Sequence, residues 1–399
     1  MEVIRNVARH KLRSTLTILG IVIGVLALTT FGAFAENFNA LVDGGVTYFG
    51  SNIQIAPPAG QTAQLLPMSK VDEIKQVPGV AAAFPGYQIQ AKPGGTGFSF
   101  GFPDLITAAD PAEENWGNFR LTYAQGRQVD AVAQGEVVLG SSLAVEFKKK
   151  VGDTIDLPVR PVDANPDFVN HTFKVVGVLT KTLTAPDNFA YINIPDGQML
   201  LRDSLPANLR SVIDVTKITE GVVAYAKSGT STAELDIVAE RINQQVPGVK
   251  ATKPSEIVNG FKASSVVFTA IVTAAALLAL VIGGLSVVNT MFMAVAERVR
   301  EIGLKKAVGA TTSNVMGEFL VEATFVGLIG GLIGFGLGAA FIFVKNQYFT
   351  PLDQNAIFLI TPRLSIFAIV FATVLGAIAG VLPAWRASRL DPVIALRNE

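Results

Sequence analysis

Residues 266–296 read VVFTAIVTAAALLALVIGGLSVVNTMFMAVA, without one ionisable side chain. About 20 such residues in a helix cross the roughly 30 Å of hydrocarbon in a bilayer, so this run reads as a membrane span. Three further runs share its character: 14–35, 323–344 and 364–383. Together they account for a chain of 399 residues that is 50% apolar and only 16% charged, too apolar for an ordinary soluble enzyme. Between the first and second runs, 36–262 is polar and rich in Pro and Gly, the composition of a folded soluble domain.

The first run invites comparison with a cleaved signal peptide, since Ala33-Phe34-Ala35 mimics a cleavage site. Its apolar stretch outruns a usual signal core and no break follows it, so an uncleaved span is expected. Arg5, Arg9, Lys11 and Arg13 precede the first run. Arg298, Arg300, Lys305 and Lys306 separate the second from the third, and Arg386, Arg389 and Arg397 follow the fourth. The bias of basic residues toward the cytoplasm places both termini and the 297–312 loop inside, with the large domain outside. A cytoplasmic membrane protein of multi-pass type is thus expected, with lipid as its surroundings.

The chain has no cysteine and two histidines, His10 and His171. That leaves no disulfide framework, no transition-metal site and no Ser/His/Asp triad to expect. No bound cofactor or nucleic-acid partner is expected either.

The expected fold class is an α-helical membrane protein with four transmembrane helices plus a large α+β extracytoplasmic domain. Residues 1–13 read as an amphipathic surface helix, with Arg5, Arg9 and Arg13 on one stripe. The first span is 14–36 and the outer domain 37–254. A helical pattern then runs over 255–296, about 60 Å at 1.5 Å per residue, twice what a bilayer requires. The excess reads as an outward stalk, a lever in preference to a mere post. Residues 297–312 form a cytoplasmic helix, 313–344 and 363–383 the last spans, 345–362 a short outer loop and 384–399 a tail.

The outer domain holds a repeat. Lys75-Gln76-Val77-Pro78-Gly79-Val80 is echoed by Gln244-Gln245-Val246-Pro247-Gly248-Val249, each after a helix that follows a strand. Ser69 and Thr232 are the expected helix caps. Two strand–helix–strand units, about 50–92 and 210–254, should pair as one α/β subdomain around a β-rich insertion, about 93–209. Strands are expected at 52–56, 136–139, 154–157, 172–179, 189–194 and 221–226. Phe98, Phe100 and Phe102 alternate in a Gly-rich loop. On an exposed strand they would share one face toward an apolar cargo or partner; a buried edge is the favoured alternative.

In the 297–312 loop, Glu301 and Lys305 stand four apart in the favourable order for a helix. Ile302, Leu304, Ala307 and Val308 are apolar in a cytoplasmic element and need a surface, either a partner's groove or the membrane. Glycines recur at four-residue spacing: Gly20/Gly24, Gly327/Gly331, Gly330/Gly334, Gly334/Gly338 and Gly376/Gly380. Such spacing lets helices approach closely in lipid. Gly283 and Gly284 add a pair in the second span. Glu318 and Glu322 share a face near the inner boundary, and pairing with basic residues of the loop is favoured over a proton relay.

Asn289-Thr290-Met291, then the stretch from Glu297 to Thr311, Glu318-Phe319-Leu320-Val321-Glu322-Ala323 and Pro383-Ala384-Trp385-Arg386 follow one another toward the C-terminus. With Lys11-Leu12-Arg13-Ser14 at the start and Val138-Leu139-Gly140 and Val151-Gly152-Asp153 between, this sequence resembles the MacB/FtsX/LolC-type permeases of the ABC superfamily. The resemblance implies a dimer, with a second copy or a paralogue, and a pair of ATPases beneath it. It implies mechanotransmission through the stalk and a chain that is not itself an enzyme. It makes Glu297, Arg298, Arg300, Glu301, Ile302, Gly303, Leu304, Lys305, Lys306, Ala307, Val308 and Gly309 the ATPase-coupling helix. Gly20, Gly24, Gly283 and Gly284 become candidates for dimer or helix packing. No Gly-x-x-x-x-Gly-Lys-Ser/Thr loop occurs in the sequence, so ATP and magnesium are expected on a separate ATPase. Amphiphilic cargo is implied (peptide, antibiotic, lipid or lipoprotein), with a periplasmic adaptor or extracellular partner as a further possibility. The alternative is a transmitter that carries ATP state to an outer partner such as a cell-wall hydrolase.

Overall fold

The computed structural model describes residues 11–58, 65–93, 102–117, 119–162, 164, 166–349 and 357–397. Most of the expected surface helix at 1–13, and Phe98 and Phe100, therefore lie outside the described residues. In chain order the elements are α1 (Lys11–Phe49), β1 (Ile53–Ala56), β2 (Leu66–Pro67), α2 (Ser69–Lys75), β3 (Ala82–Gln90), β4 (Leu105–Ala108) and β5 (Tyr123–Gly126). Then come β6 (Glu136–Leu139), α3 (Ser141–Glu146), β7 (Thr154–Leu157), β8 (His171–Leu179), β9 (Phe189–Ile192), α4 (Ile194–Ser204), β10 (Ile218–Thr219) and β11 (Gly221–Tyr225). The chain closes with α5 (Thr232–Gln245), β12 (Lys250–Thr252), α6 (Pro254–Glu297), α7 (Val299–Ala307), α8 (Thr312–Val344), α9 (Pro362–Ser388) and α10 (Pro392–Arg397).

The described residues form two compact units, 11–37 with 266–349 and 357–397, and 38–265. Within them, the four helices α1, α6, α8 and α9 are long and apolar enough to cross a membrane. Helix α6 runs 44 residues without interruption, about 66 Å at 1.5 Å each.

In the membrane unit the glycines decide which helices touch. A Cβ at Gly327 would stand 2.6 Å from the Ala372 carbonyl oxygen, and one at Gly376 2.6 Å from that of Ala323. Helices α8 and α9 can meet so closely only because both residues lack a side chain. The opposite edge of α8 serves α1: Gly330 faces Ile21, Gly334 faces Val22 and Val25, and Gly338 faces Thr29. Thr29 is fully buried and turns its hydroxyl back onto the Val25 carbonyl, satisfying it inside its own helix.

The outer unit is built on one mixed sheet, ordered β12-β1-β11-β3-β4-β9-β6-β8-β5, with β7 beside β8. Strands β1 and β11 alternate inward and outward, burying Ile53, Ile55, Val222 and Ala224. Helices α2 and α5 cover this half and share its core through Ile74, Leu235, Val238 and Ile242. The repeat lies at equivalent places after these helices. Val77 and Val246 are buried, and Gly79 and Gly248 both take positive φ, which a side chain would strain. The expected caps are each off by one residue. Ser231 caps α5 in a reciprocal box with Glu234, leaving Thr232 as its first turn. Ser69 opens α2, whose cap position Met68 has no side-chain bond.

Strand β3 joins the two halves of the sheet. Ala82–Gly86 pair with β11, and Tyr87–Gln90 with β4, so the 93–209 segment extends the sheet begun by its flanks. Its own core gathers Phe173, Val175, Leu139, Leu143, Ile192 and Leu200. The expected strand at 189–194 ends at Ile192; Asn193 caps α4 by accepting from the Asp196 N–H, with Pro195 in the first turn. His171 is structural, its Nε2 2.8 Å from Asp203 Oδ2.

Candidate coupling site

Helix α6 breaks at Arg298, whose φ of −104° and ψ of 15° lie outside the helical region, and α7 follows at once. The break is held by charge. Arg298 donates to both oxygens of Glu322, at 2.9 and 3.4 Å, with both side chains largely buried. One turn earlier on α8, Glu318 accepts from Lys305 at 2.7 and 3.0 Å, and Lys305 also reaches Glu301 at 3.3 Å. Two bases of α7 and its hinge are thereby tied to two acids on one face of α8, a planar guanidinium taking the more buried partner.

The third base acts on a helix terminus. Lys306 Nζ donates to the carbonyls of Ser388 at 2.9 Å and Leu390 at 2.7 Å, where α9 ends and its last carbonyls lack helical partners. Beyond that end, α10 lies against α7: a Cβ at Gly303 would stand 2.7 Å from the Ala395 Cβ. Thr311 caps α8 by accepting from the Asn314 N–H, and Gly309 takes φ of +105° to turn the chain between α7 and α8.

These contacts divide the expected coupling residues. Ile302 and Gly303 face inward and are buried, so they are unavailable to a partner, contrary to the reading of Ile302 as a surface contact. Arg298, Lys305 and Lys306 are engaged within the chain. Glu297 ends α6, while Arg300, Glu301, Ala307 and Gly309 are exposed. Leu304 and Val308 remain 57% and 84% exposed. The paired helix α10 adds Val393 and Ile394, at 72% and 62%. These last two were missed by sequence reasoning, which took 384–399 as a tail; the Asp391-Pro392 helix start was the available signal.

Other expected sites move. Gly20 and Gly24 on α1 face α6, where Cβ atoms would stand 2.7 Å from Ser286 Oγ and 3.1 Å from the Ala279 oxygen. Gly283 faces back to the Gly20 oxygen, and Gly284 faces Leu375 on α9. All four pack helix against helix within one chain, the helix-packing side of their reading. Phe102 packs with Phe49 and Phe261, ring centroids 6.2 and 6.0 Å apart, and against Gly45. It is half-buried among these rings, as the packed alternative of its reading has it.

Two family models match the chain. Residues 14–244 match the MacB-like periplasmic core domain, and 273–392 match the FtsX-like permease C-terminal domain. The macrolide export ATP-binding/permease protein MacB of Hyphomonas neptunium is 27% identical over 419 residues, covering 99% of this chain and 60% of that protein. An ABC transporter permease of Methanocaldococcus jannaschii is 26% identical over 417 residues, covering 99% of this chain and 96% of that one. The chain thus spans about 60% of the length of the MacB relatives it matches. Among solved structures, the extracellular domain of the noncanonic ABC-type transporter YknZ from Gram-positive bacteria aligns with 51% of this chain and 98% of its own, at 13% identity and a TM-score of 0.31.

Proposed function

The chain belongs to the MacB/FtsX-type ABC transporter permeases, and on that premise we propose that it is the permease subunit of an ATP-driven export or extraction system. It works as a dimer in a bacterial cytoplasmic membrane, with both termini and α7 on the cytoplasmic side and the sheet-rich unit outside. ATP and magnesium sit on a separate ABC ATPase. Closure of that ATPase is passed through α7 into α6 and on to the outer unit, which acts on amphiphilic cargo.

The observation that carries this reading is the α7–α10 pair. Lys305, Lys306 and the hinge Arg298 are tied to neighbouring helices, while Leu304, Val308, Val393 and Ile394 stay uncovered, the pattern of a helix pair awaiting a groove. Because α7 is bound to α8 by ion pairs and to α6 by one hinge residue, a push on it is transmitted and not absorbed.

The test is co-purification of the full chain with its co-expressed ABC ATPase, for wild type and for Leu304→Glu with Val308→Glu. Wild type should retain the ATPase and the variant should release it while keeping its unfolding midpoint. Equal retention would move the exposed residues to the membrane surface and remove the coupling assignment. Cargo-stimulated ATPase activity distinguishes a transporter from a transmitter to an outer partner.

A further inference from the structure

The outer unit holds a partly open cavity of about 110 Å³ that coupling does not use. It lies between the end of α1, strands β3, β4, β9 and β11, and the turn Pro111–Asn115. Its walls are aromatic: Tyr48, Phe119, Tyr123, Phe189, Tyr191 and Tyr225 all face it. The rings brace one another, with Tyr48 perpendicular to Phe119 at 5.4 Å and Phe189 against Tyr191 at 6.0 Å.

Into this apolar shell project the acids of the turn. Glu113 accepts from the Tyr225 hydroxyl at 2.7 Å and Glu114 from that of Tyr123, while Asp110 is occupied in capping the turn. No lysine, arginine or histidine is among the lining residues. Among the described residues, the bonded partners of the two carboxylates at the wall are neutral hydroxyls and amides. One further polar atom of the wall, Thr107 Oγ1, is buried without a hydrogen-bond partner, while the Tyr191 hydroxyl faces that of Tyr48. Burial pushes the Glu113 carboxyl up to about 7, against the opposing Tyr225 hydrogen bond.

Acids in an aromatic shell without a base call for a cation that also has apolar surface. A metal ion needs converging oxygens, and no cluster of three metal-ligating side chains occurs among the described residues. A cavity of roughly 150 Å³ accepts benzene, so this one has room for a group of a few heavy atoms, not for a whole amphiphile. We propose that the cavity binds a small organic ammonium group, its alkyl surface against the tyrosine and phenylalanine faces and its charge balanced by Glu113 and Glu114. The inference is independent of the ATPase-coupling reading. Its chemistry is shared by a free quaternary amine and by the head group of a choline lipid. Glu113 is faced by Asp110, Glu114, Tyr48, Tyr191 and Tyr225, none of them cationic, so binding should strengthen as pH rises through 7.

The test is calorimetric titration of the full chain, in an uncharged maltoside detergent, with tetramethylammonium chloride against sodium chloride at equal ionic strength. One saturable site is expected, weakened about tenfold or more in Glu113→Gln and also in Glu114→Gln, with unfolding midpoints confirming both folds. Heats that match sodium chloride for the wild type overturn the proposal, as do unchanged affinities in both variants. Titration with phosphatidylcholine and phosphatidylglycerol vesicles names the source: selective binding of the choline lipid supports a head group, and binding of tetramethylammonium alone supports a free amine.

Discussion

Replacing Arg298 by Met should destabilise the membrane unit far more than replacing Arg298 and Glu322 together. Glu322 is 9% exposed at its side chain and Arg298 is 15% exposed, and two hydrogen bonds at 2.9 and 3.4 Å join them. Removing the guanidinium leaves a carboxylate buried without its partner, a change that costs about 3–5 kcal/mol, or a factor of roughly 10² to 10⁴ in the folded ratio. Glu322→Met alone should cost less, about 1–3 kcal/mol, because the longer Arg298 side chain can bring its charge to water. In the double variant no charge is stranded, and the loss should fall to about 1 kcal/mol or become a gain. The three variants and the wild type form a cycle, read by thermal unfolding in detergent, with a coupling of at least about 2 kcal/mol expected. If the double variant is as unstable as Arg298→Met, the pair is not what holds the α6–α7 break and the reasoning fails. On the proposed coupling to an ABC ATPase, the same proteins test transmission: the double variant should still co-purify with the ATPase yet lose any cargo-stimulated hydrolysis.

Gly327→Ala should destabilise by about 1–3 kcal/mol, since its Cβ meets the Ala372 oxygen at 2.6 Å and the Gly376 Cα at 3.0 Å. Gly336→Ala, with nothing within 4 Å, should be neutral or slightly stabilising, and equal midpoints for the two would refute the close α8–α9 seam. Glu113 has a folded pKa raised to about 7 from 4.5, so the folded state holds the extra proton between those values and stability is lost as pH rises across that window. Glu113→Gln should therefore unfold like wild type near pH 4.5 and be more stable, by about 2–3 kcal/mol, above pH 7. A difference that is constant between pH 4.5 and 8 would show that Glu113 does not titrate in that range.

The spans were legible because hydrocarbon imposes a requirement on every residue of a helix that crosses it, and 266–296 meets it without exception. Strands 136–139 and 154–157 were legible to the residue, since Glu136–Leu139 and Thr154–Leu157 end at turn-forming neighbours. Strand β3 was not, because Pro85-Gly86 within it reads as a turn. Tertiary pairing with β11 on one half and β4 on the other overrides that local signal.

Helix α7 shows the same division. Its place and its Glu301–Lys305 pair follow from spacing along one chain, where neighbours three or four apart must meet, and its link to Glu318 and Glu322 from a basic loop lying at the same membrane boundary as two acids. Which of its faces is free does not follow, because that depends on residues far away in sequence. Ala395 fills the space beside Gly303, and Ser388 and Leu390 take up Lys306. The glycines make the point in both directions: their spacing announces that helices pack closely, but only the folded unit assigns Gly20 to Ser286 and Gly327 to Gly376. The aromatic and acidic cavity was invisible for the same reason. Tyr48, Glu113, Tyr191 and Tyr225 are spread along the chain in unrelated segments, and it is the order of strands in one sheet that closes them around a common space.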